Sequence, residues 1–156
     1  MRHELDTVDQ RILNVLQEDA TVSVDDLSER VTLSRNACWR RVKALEAAGV
    51  ITKRVALVDA KKVGCGLSAL VMVRTSQHDA TWLTQFQAVL QSMPQIVSAY
   101  RMTGDLDYVL RVRVADVAAY DRFYKHLTSR ISLSDISASF VMEEIKETTA
   151  VPLGKT

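Results

Sequence analysis

Residues Val22 to Ile51 read VSVDDLSERVTLSRNACWRRVKALEAAGVI, and this stretch decides the fold. It spells two short helices separated only by Thr32-Leu33-Ser34. Ser23 and Ser34 each stand just before a helical run, where a hydroxyl accepts from the orphan N–H groups of the first turn. Gly49 follows the second run at the position that favours a left-handed residue. Cys38, Val42 and Leu45 recur at i, i+4 and i+7, with Ala48 close to the same face, so they form the buried stripe of the second helix. The opposite face then presents Arg35, Asn36, Trp39, Arg40, Lys43 and Ala47. Arg and Asn are the side chains that pair bidentately with guanine and adenine edges, and an exposed Trp can press on a sugar or a thymine methyl. A solvated amphipathic helix also carries cations. The preceding helix and the tight break make the stretch the sequence form of a DNA-reading helix-turn-helix.

Charge is segregated along the chain although its total is nearly balanced, with 20 Lys+Arg against 19 Asp+Glu. Residues 1 to 29 hold two basic groups and eight acidic ones, a net −6, whereas residues 30 to 54 hold seven basic groups and only Glu46, a net +6. Duplex DNA carries one negative charge per ~1.7 Å of axis, so the basic half is expected to meet phosphates and the acidic half to face away. Upstream, Leu5, Val8, Ile12, Leu13 and Leu16 form a helical stripe, with Asp6 and Asp9 near its N-terminus where carboxylates suit the helix dipole. That third helix buries the pair. After Gly49, Val50 to Asp59 alternates like a strand and reads as a wing or hinge strand. Lys53 and Arg54 on it are placed to touch phosphate, though basic residues on an exposed strand are also simply solvated.

The chain's 156 residues suffice for one ordinary domain or two small ones, and the change of pattern near residue 60 argues for two. Hydrophobic content of 47% with 25% charged residues describes a soluble globular protein. There is no apolar run of about 18 residues to span a bilayer, and the polar, acidic MRHELDTVDQ is no signal peptide. Two cysteines, Cys38 on a helical core face and Cys65 between Gly64 and Gly66, make no disulfide framework and point to a reducing cytoplasm. His3, His78 and His126 have no Cys or carboxylate neighbours at ligand spacing and belong to no triad, so neither a metal, a cofactor nor an enzymatic activity is expected.

From residue 66 the period switches between 2 and 3.6 in a regular order. Leu67 to Thr75 reads as a strand, and Asp79 to Met93 as a helix striped by Trp82, Phe86, Val89, Leu90 and Met93, ended by Pro94. Ile96 to Met102 and Tyr108 to Val114 read as two strands around a turn. Asp116 to Ile131 is a helix striped by Val117, Tyr120, Tyr124, Leu127 and Ile131, and Ile136 to Lys146 closes as a strand. The order βαββαβ is the ferredoxin-like arrangement, an antiparallel sheet with both helices on one face, so the fold class is α+β. The other face, with Leu70 and Met72 on it, is expected to find a second copy, giving a sheet-to-sheet homodimer suited to two half-sites. In the turn, Asp105 and Asp107 beside Gly104 could hold an ammonium group, but spacing alone fits an ordinary hairpin turn equally.

These residues resemble the Lrp/AsnC, or feast/famine, family of transcription regulators over nearly the whole chain. The likeness rests on Leu5-Asp6-Thr7-Val8-Asp9-Gln10-Arg11-Ile12-Leu13, on Leu33-Ser34 with Cys38, Arg41-Val42, Leu45-Glu46 and Gly49-Val50-Ile51, on Gly104-Asp105-Leu106-Asp107-Tyr108, and on Val141-Met142-Glu143-Glu144-Ile145-Lys146. It implies an N-terminal winged helix-turn-helix over residues 1–54, a hinge strand or linker over 55–65, and a ferredoxin-like effector-binding and oligomerisation domain over 66–156. It also implies dimers that assemble to octamers, and an amino-acid effector bound between dimers around the glycine-aspartate turn. Pro94, Met102-Thr103-Gly104, Tyr120 to Lys125 and Ser139 to Glu143 look like the branch that regulates cysteine detoxification, which makes cysteine a candidate effector. Trp39 stands where some members place Leu, so their base preference is not carried over with the motif.

The expected DNA-binding set is Ser23, Ser34, Arg35, Asn36, Trp39, Arg40, Arg41, Lys43, Lys53 and Arg54. The expected effector set, carried over by the resemblance, is Met102, Thr103, Gly104, Asp105, Leu106, Asp107 and Tyr108, with Ser137 and Ser139 on a facing strand. The expected function is a sequence-specific regulator in the cytoplasm, at the nucleoid, with double-stranded DNA and a small amino acid as partners. An architectural protein that wraps DNA with little sequence preference is the alternative; it predicts many weakly different sites where the regulator predicts a few strong palindromic ones.

Overall fold

Asp6 opens the first helix of the computed structural model, which describes residues 4–153. Helix α1 (Thr7–Glu18) begins in a reciprocal box: the Asp9 amide donates to the Asp6 carboxylate at 2.8 Å, and the Asp6 amide donates to that of Asp9 at 3.4 Å. Helices α2 (Val24–Arg30) and α3 (Arg35–Ala47) start at Ser23 and Ser34, whose hydroxyls accept from the amides of Asp26 and Ala37. Between them Thr32 adopts φ +56°, a left-handed conformation uncommon outside Gly and Asn, which turns the chain sharply enough to bury Val31. Gly49, at φ +71°, ends α3, and the amides of Val50 and Ile51 return to the Leu45 carbonyl. Ile12, Leu13, Leu27, Val31, Cys38, Val42 and Leu45 are buried together as one core.

The chain divides into two compact units, the first running through Ala56 and the second from Leu57 to Ile145. From Lys146 the chain belongs again to the first unit, whereas the tail was expected to stay with the sheet domain. The anticipated strand over Val50 to Asp59 does not form: residues 52–59 make no ladder, and Val55, Leu57 and Val58 are exposed. Alternation alone does not make a strand; it needs a neighbouring backbone to pair with, and among the described residues none lies beside this segment.

In the second unit the order is β1 (Leu67–Arg74), α4 (Ala80–Ser92), β2 (Ile96–Arg101), β3 (Tyr108–Val114), α5 (Val117–Arg130) and β4 (Asp135–Phe140). The sheet runs β2-β3-β1-β4 with every pair antiparallel, the ferredoxin-like topology. Ala69, Val71, Val73, Leu110, Val112 and Val114 point to one face and are buried with Trp82, Phe86, Val89 and Met93 of the α4 stretch and Phe123 and Leu127 of α5. Two expectations change here. The buried face of α5 runs through Tyr120, Phe123, Leu127 and Ile131, while Val117 and Tyr124 are exposed. Phe123 and Tyr124 are neighbours that both fit a helical stripe, and the purely apolar ring takes the core while the phenol stays wet. The last strand ends at Phe140 and not at Lys146, because β1 begins at Leu67 and offers nothing to pair with beyond the bond from the Val141 amide to the Ser68 carbonyl.

Register places Ser68, Leu70 and Met72 on the other face, beside Ser98, Tyr100, Val109, Arg111, Arg113, Ser137 and Ser139. This face is mixed rather than apolar. Arg113 and Arg111 converge on Glu144 at 2.6 and 3.8 Å, and the buried Ser68 hydroxyl has no hydrogen-bond partner among the described residues.

Candidate functional site

Helix α3 is held by its buried edge. With Cys38, Val42 and Leu45 fully or nearly fully buried, helical geometry turns Asn36, Trp39, Arg40 and Lys43 to solvent, and Trp39 stays 52% exposed. Burial also pushes the Cys38 thiol above its usual range, as suits an unreactive filler of the core. An exposed indole on a basic helix is costly to leave in water and suited to a nucleic-acid surface.

The cations expected to act together fall into two groups. Arg35 pairs with Asp25 at 2.8 Å, and both are well exposed; Lys43 and Arg54 share the Glu46 carboxylate at 2.8 and 3.1 Å. The hydrogen bond from Lys43, with Arg54 nearby, holds the Glu46 carboxyl below its ordinary range. Such solvent-screened pairs contribute little to stability, so a phosphate can replace the carboxylate readily. Arg41 differs: its guanidinium lies 2.7 Å from Asp6 and 2.8 Å from Asp9, and the Asp9 side chain is only 9% exposed. Hydrogen bonds from the Asp9 amide and from Arg41 hold the Asp6 carboxyl below its usual range. Arg41 therefore ties α3 to α1 and is not presented with the outward set. The acidic segment thus partly neutralises the basic one, where it was expected to face away. Ser23 and Ser34 are occupied as helix caps, and the Ser23 hydroxyl also donates to Asp26. Arg40, Asn36, Trp39 and Lys53 are left without a side-chain hydrogen bond or ion pair among the described residues.

The second candidate site is the loop joining β2 and β3. The Met102 amide donates to the Asp107 carbonyl at 2.8 Å, closing the loop, and Gly104 sits at φ +95°, which side-chain-bearing residues rarely adopt. Among the described residues, no hydrogen bond engages the N–H groups of Thr103, Gly104 or Asp105. Three adjacent amides on an exposed turn, without a partner among the described residues, are donors available to an anion. The two carboxylates do not act as a matched pair. Asp107 accepts from the Thr75 amide at 2.8 Å and so pins the loop to the end of β1, while Asp105 is exposed and holds the loop by its backbone carbonyl, which accepts from Arg74 at 2.8 Å.

The remaining members of the expected effector set are scattered. The half-buried Tyr108 ring packs on Phe86 and Trp82, with centroids 4.7 and 6.0 Å away, and so faces the helix side of the sheet. Leu106 is half-buried. Ser137 and Ser139 lie on β4 opposite Met72 and Leu70, with β1 between them and the β3 end of the loop. Arg74, unnoticed in the sequence, links loop to sheet, since it also reaches Asp135 of β4 at 3.3 Å. A basic residue closing a strand beside an acidic turn was the only available signal. A groove of about 420 Å³ between α5 and β4 includes Asp135 but none of residues 102–108.

Comparison with known proteins bears on both sites. The family described as Winged helix-turn-helix DNA-binding matches residues 5–52, and the Lrp/AsnC ligand binding domain matches residues 68–151. The chain is 46% identical over 156 residues to a glutamate uptake regulatory protein of Zymomonas mobilis, covering all of this chain and 95% of that one. An AsnC family transcriptional regulator from Agrobacterium tumefaciens superposes with a TM-score of 0.92 at 47% identity, over 95% of this chain and 97% of that one. A Neisseria meningitidis transcriptional regulator, solved as its complex with L-Met, superposes with a TM-score of 0.91 at 37% identity, over 96% and 97% of the two chains.

Proposed function

Since the chain belongs to the Lrp/AsnC family of DNA-binding transcription regulators, we propose that it reads a specific operator through α3 and that an amino acid bound at the 102–107 loop tunes this binding. It is a regulator and not an enzyme, as its relatives are. The observation that carries the reading is the outward face of α3: Asn36, Trp39 and Arg40 are exposed, opposite a buried stripe, and have no side-chain partner among the described residues. Arg40 and Asn36 suit base edges; Arg35, Lys43, Lys53 and Arg54 suit phosphates. In a gel-shift titration, Arg40→Ala should lose ~1–3 kcal/mol of binding and relax preference at one base position. Unchanged affinity and preference would remove Arg40 from the reading set, and many near-equal sites would favour DNA wrapping instead.

For the effector, the unpaired amides of Thr103, Gly104 and Asp105 are suited to an α-carboxylate, and the Asp105 carboxylate to an α-ammonium group. Asp107 acts by pinning the loop, so Asp107→Ala should weaken binding through disorder while Asp105→Ala weakens it directly. Methionine, glutamate and cysteine are the first amino acids to test, the first two from the relatives and the third from the branch likeness. A homodimer joined through the open sheet face, and dimers assembled to an octamer, would bring a second copy to the loop. The protein would act in the cytoplasm, at the nucleoid; no helix among the described residues is long and apolar enough to cross a membrane.

A further inference from the structure

On the reading that α3 meets DNA, we propose that Asp25 and Glu46 set the chain's sequence-independent affinity for a duplex: they hold Arg35, Lys43 and Arg54 in the free protein and yield them to phosphate on binding. All five residues lie in the first unit. The Arg35 guanidinium lies 2.8 Å from the carboxylate of Asp25, which stands in the first turn of α2, so the pair ties the start of α2 to the start of α3. Lys43 donates to one Glu46 oxygen at 2.8 Å and Arg54 to the other at 3.1 Å, so a single carboxylate serves two cations. Arg54 also donates to the Ala20 carbonyl at 3.3 Å, which gives it a second tether within the same unit.

The pairing is selective. Asn36 and Arg40, suited to base edges, have no side-chain partner among the described residues, whereas Arg35, Lys43 and Arg54, suited to phosphates, are all held. Phosphate contacts supply essentially all sequence-independent binding, so this is the part of the affinity that the two carboxylates oppose. A phosphate that reaches Lys43 while Glu46 still holds it brings two anions close together, and the like charges repel. The repulsion is relieved when the cation turns from carboxylate to phosphate. Asp25 and Arg35 are 65% and 69% exposed and Glu46 is 30% exposed, so water and salt can screen the released carboxylates. Each freed carboxylate then gathers a cation from solution. That uptake offsets part of the counterion release from the duplex, so the wild-type chain has a shallower salt dependence than its phosphate contacts alone would give.

Fluorescence anisotropy of the full-length chain on a duplex of arbitrary sequence, between about 50 and 200 mM salt, tests this without an operator or an amino acid. Glu46→Gln keeps the size and an acceptor oxygen and removes only the charge. It should tighten binding roughly two- to tenfold at the low-salt end, the scale of one screened charge contact, and steepen the fall of log affinity with log salt. Asp25→Asn, in the separate pair, should act in the same direction. Glu18→Gln is the control for added charge, since Glu18 has no side-chain hydrogen bond or ion pair among the described residues, and its effect should be smaller. In a Lys43→Ala/Arg54→Ala background the effect of Glu46→Gln should fall to that of Glu18→Gln, because the carboxylate then has no cation to withhold. Weaker binding by Glu46→Gln would mean that the carboxylate positions the cations for DNA. An effect no larger than that of Glu18→Gln, or one that survives in the doubly truncated background, would mean a general response to charge. Either result overturns the proposal and leaves the DNA reading intact, whereas a wild-type chain that binds no duplex overturns both.

Discussion

Arg41 illustrates how one side chain changes meaning between sequence and structure. In the sequence it is one of seven cations in a DNA-reading stretch; in the fold it bridges Asp6 and Asp9 at 2.7 and 2.8 Å and joins the third helix to the first. Arg41→Ala should therefore act on stability before it acts on DNA, costing about 1–3 kcal/mol because the nearly buried Asp9 carboxylate loses its charged partner. The effect has a pH signature. The Asp6 carboxyl is held below the usual carboxylate range, near 3.9, so the pair is fully formed above that value and is lost as pH falls through the lowered folded value. Chemical denaturation should show the wild-type advantage over Arg41→Ala intact at pH 7 and shrinking below about pH 4; a cost that does not change with pH would mean that Arg41 acts by packing alone. Spacing placed the caps at Ser23 and Ser34 correctly, since a cap is a local property of the chain. It did not expose the Arg41 bridge, because the two partners lie 32 and 35 residues away.

At the scale of elements, periodicity identified every helix and strand whose buried face is set by its own residues. Cys38, Val42 and Leu45 of α3 and Trp82, Phe86, Val89 and Met93 of the α4 stretch are buried as the spacing predicts, while Ala48 is exposed and Leu90 only half-buried. It failed where a second element decides. The segment 50–59 alternates but has no backbone to pair with, β4 stops where β1 runs out, and α5 turns Phe123 inward instead of Tyr124. The α5 reading gives a direct comparison by thermal denaturation. Phe123→Ala should cost about 3–5 kcal/mol, as for a fully buried ring, while Tyr124→Ala should stay within about 1 kcal/mol. Equal costs would mean that both rings share the core. The β2–β3 loop follows the same logic. Its glycine and its two aspartates were legible, yet the division of labour between Asp105 and Asp107 was not, since it depends on Thr75 and Arg74 at the end of a strand distant in sequence.

For the whole molecule, the change of pattern near residue 60 anticipates the division into two units after Ala56, and the winged helix-turn-helix match over residues 5–52 falls on the charge-segregated one. The return of the tail to the first unit was not foreseeable, because the two contacts that fix it, through Gln17 and Leu153, form no motif. In the function proposed above, an α3 that reads DNA is joined in one chain to a loop that senses an amino acid, and the second alters the first. Fluorescence anisotropy of the full-length protein on its selected operator duplex, at fixed salt and with each of the common amino acids added in turn, tests this most directly. At least one amino acid should shift the dissociation constant by roughly five- to 150-fold, the usual range of such couplings, and Asp105→Ala should abolish the shift while leaving affinity without the amino acid unchanged. Isotherms that superimpose for every amino acid would contradict the account.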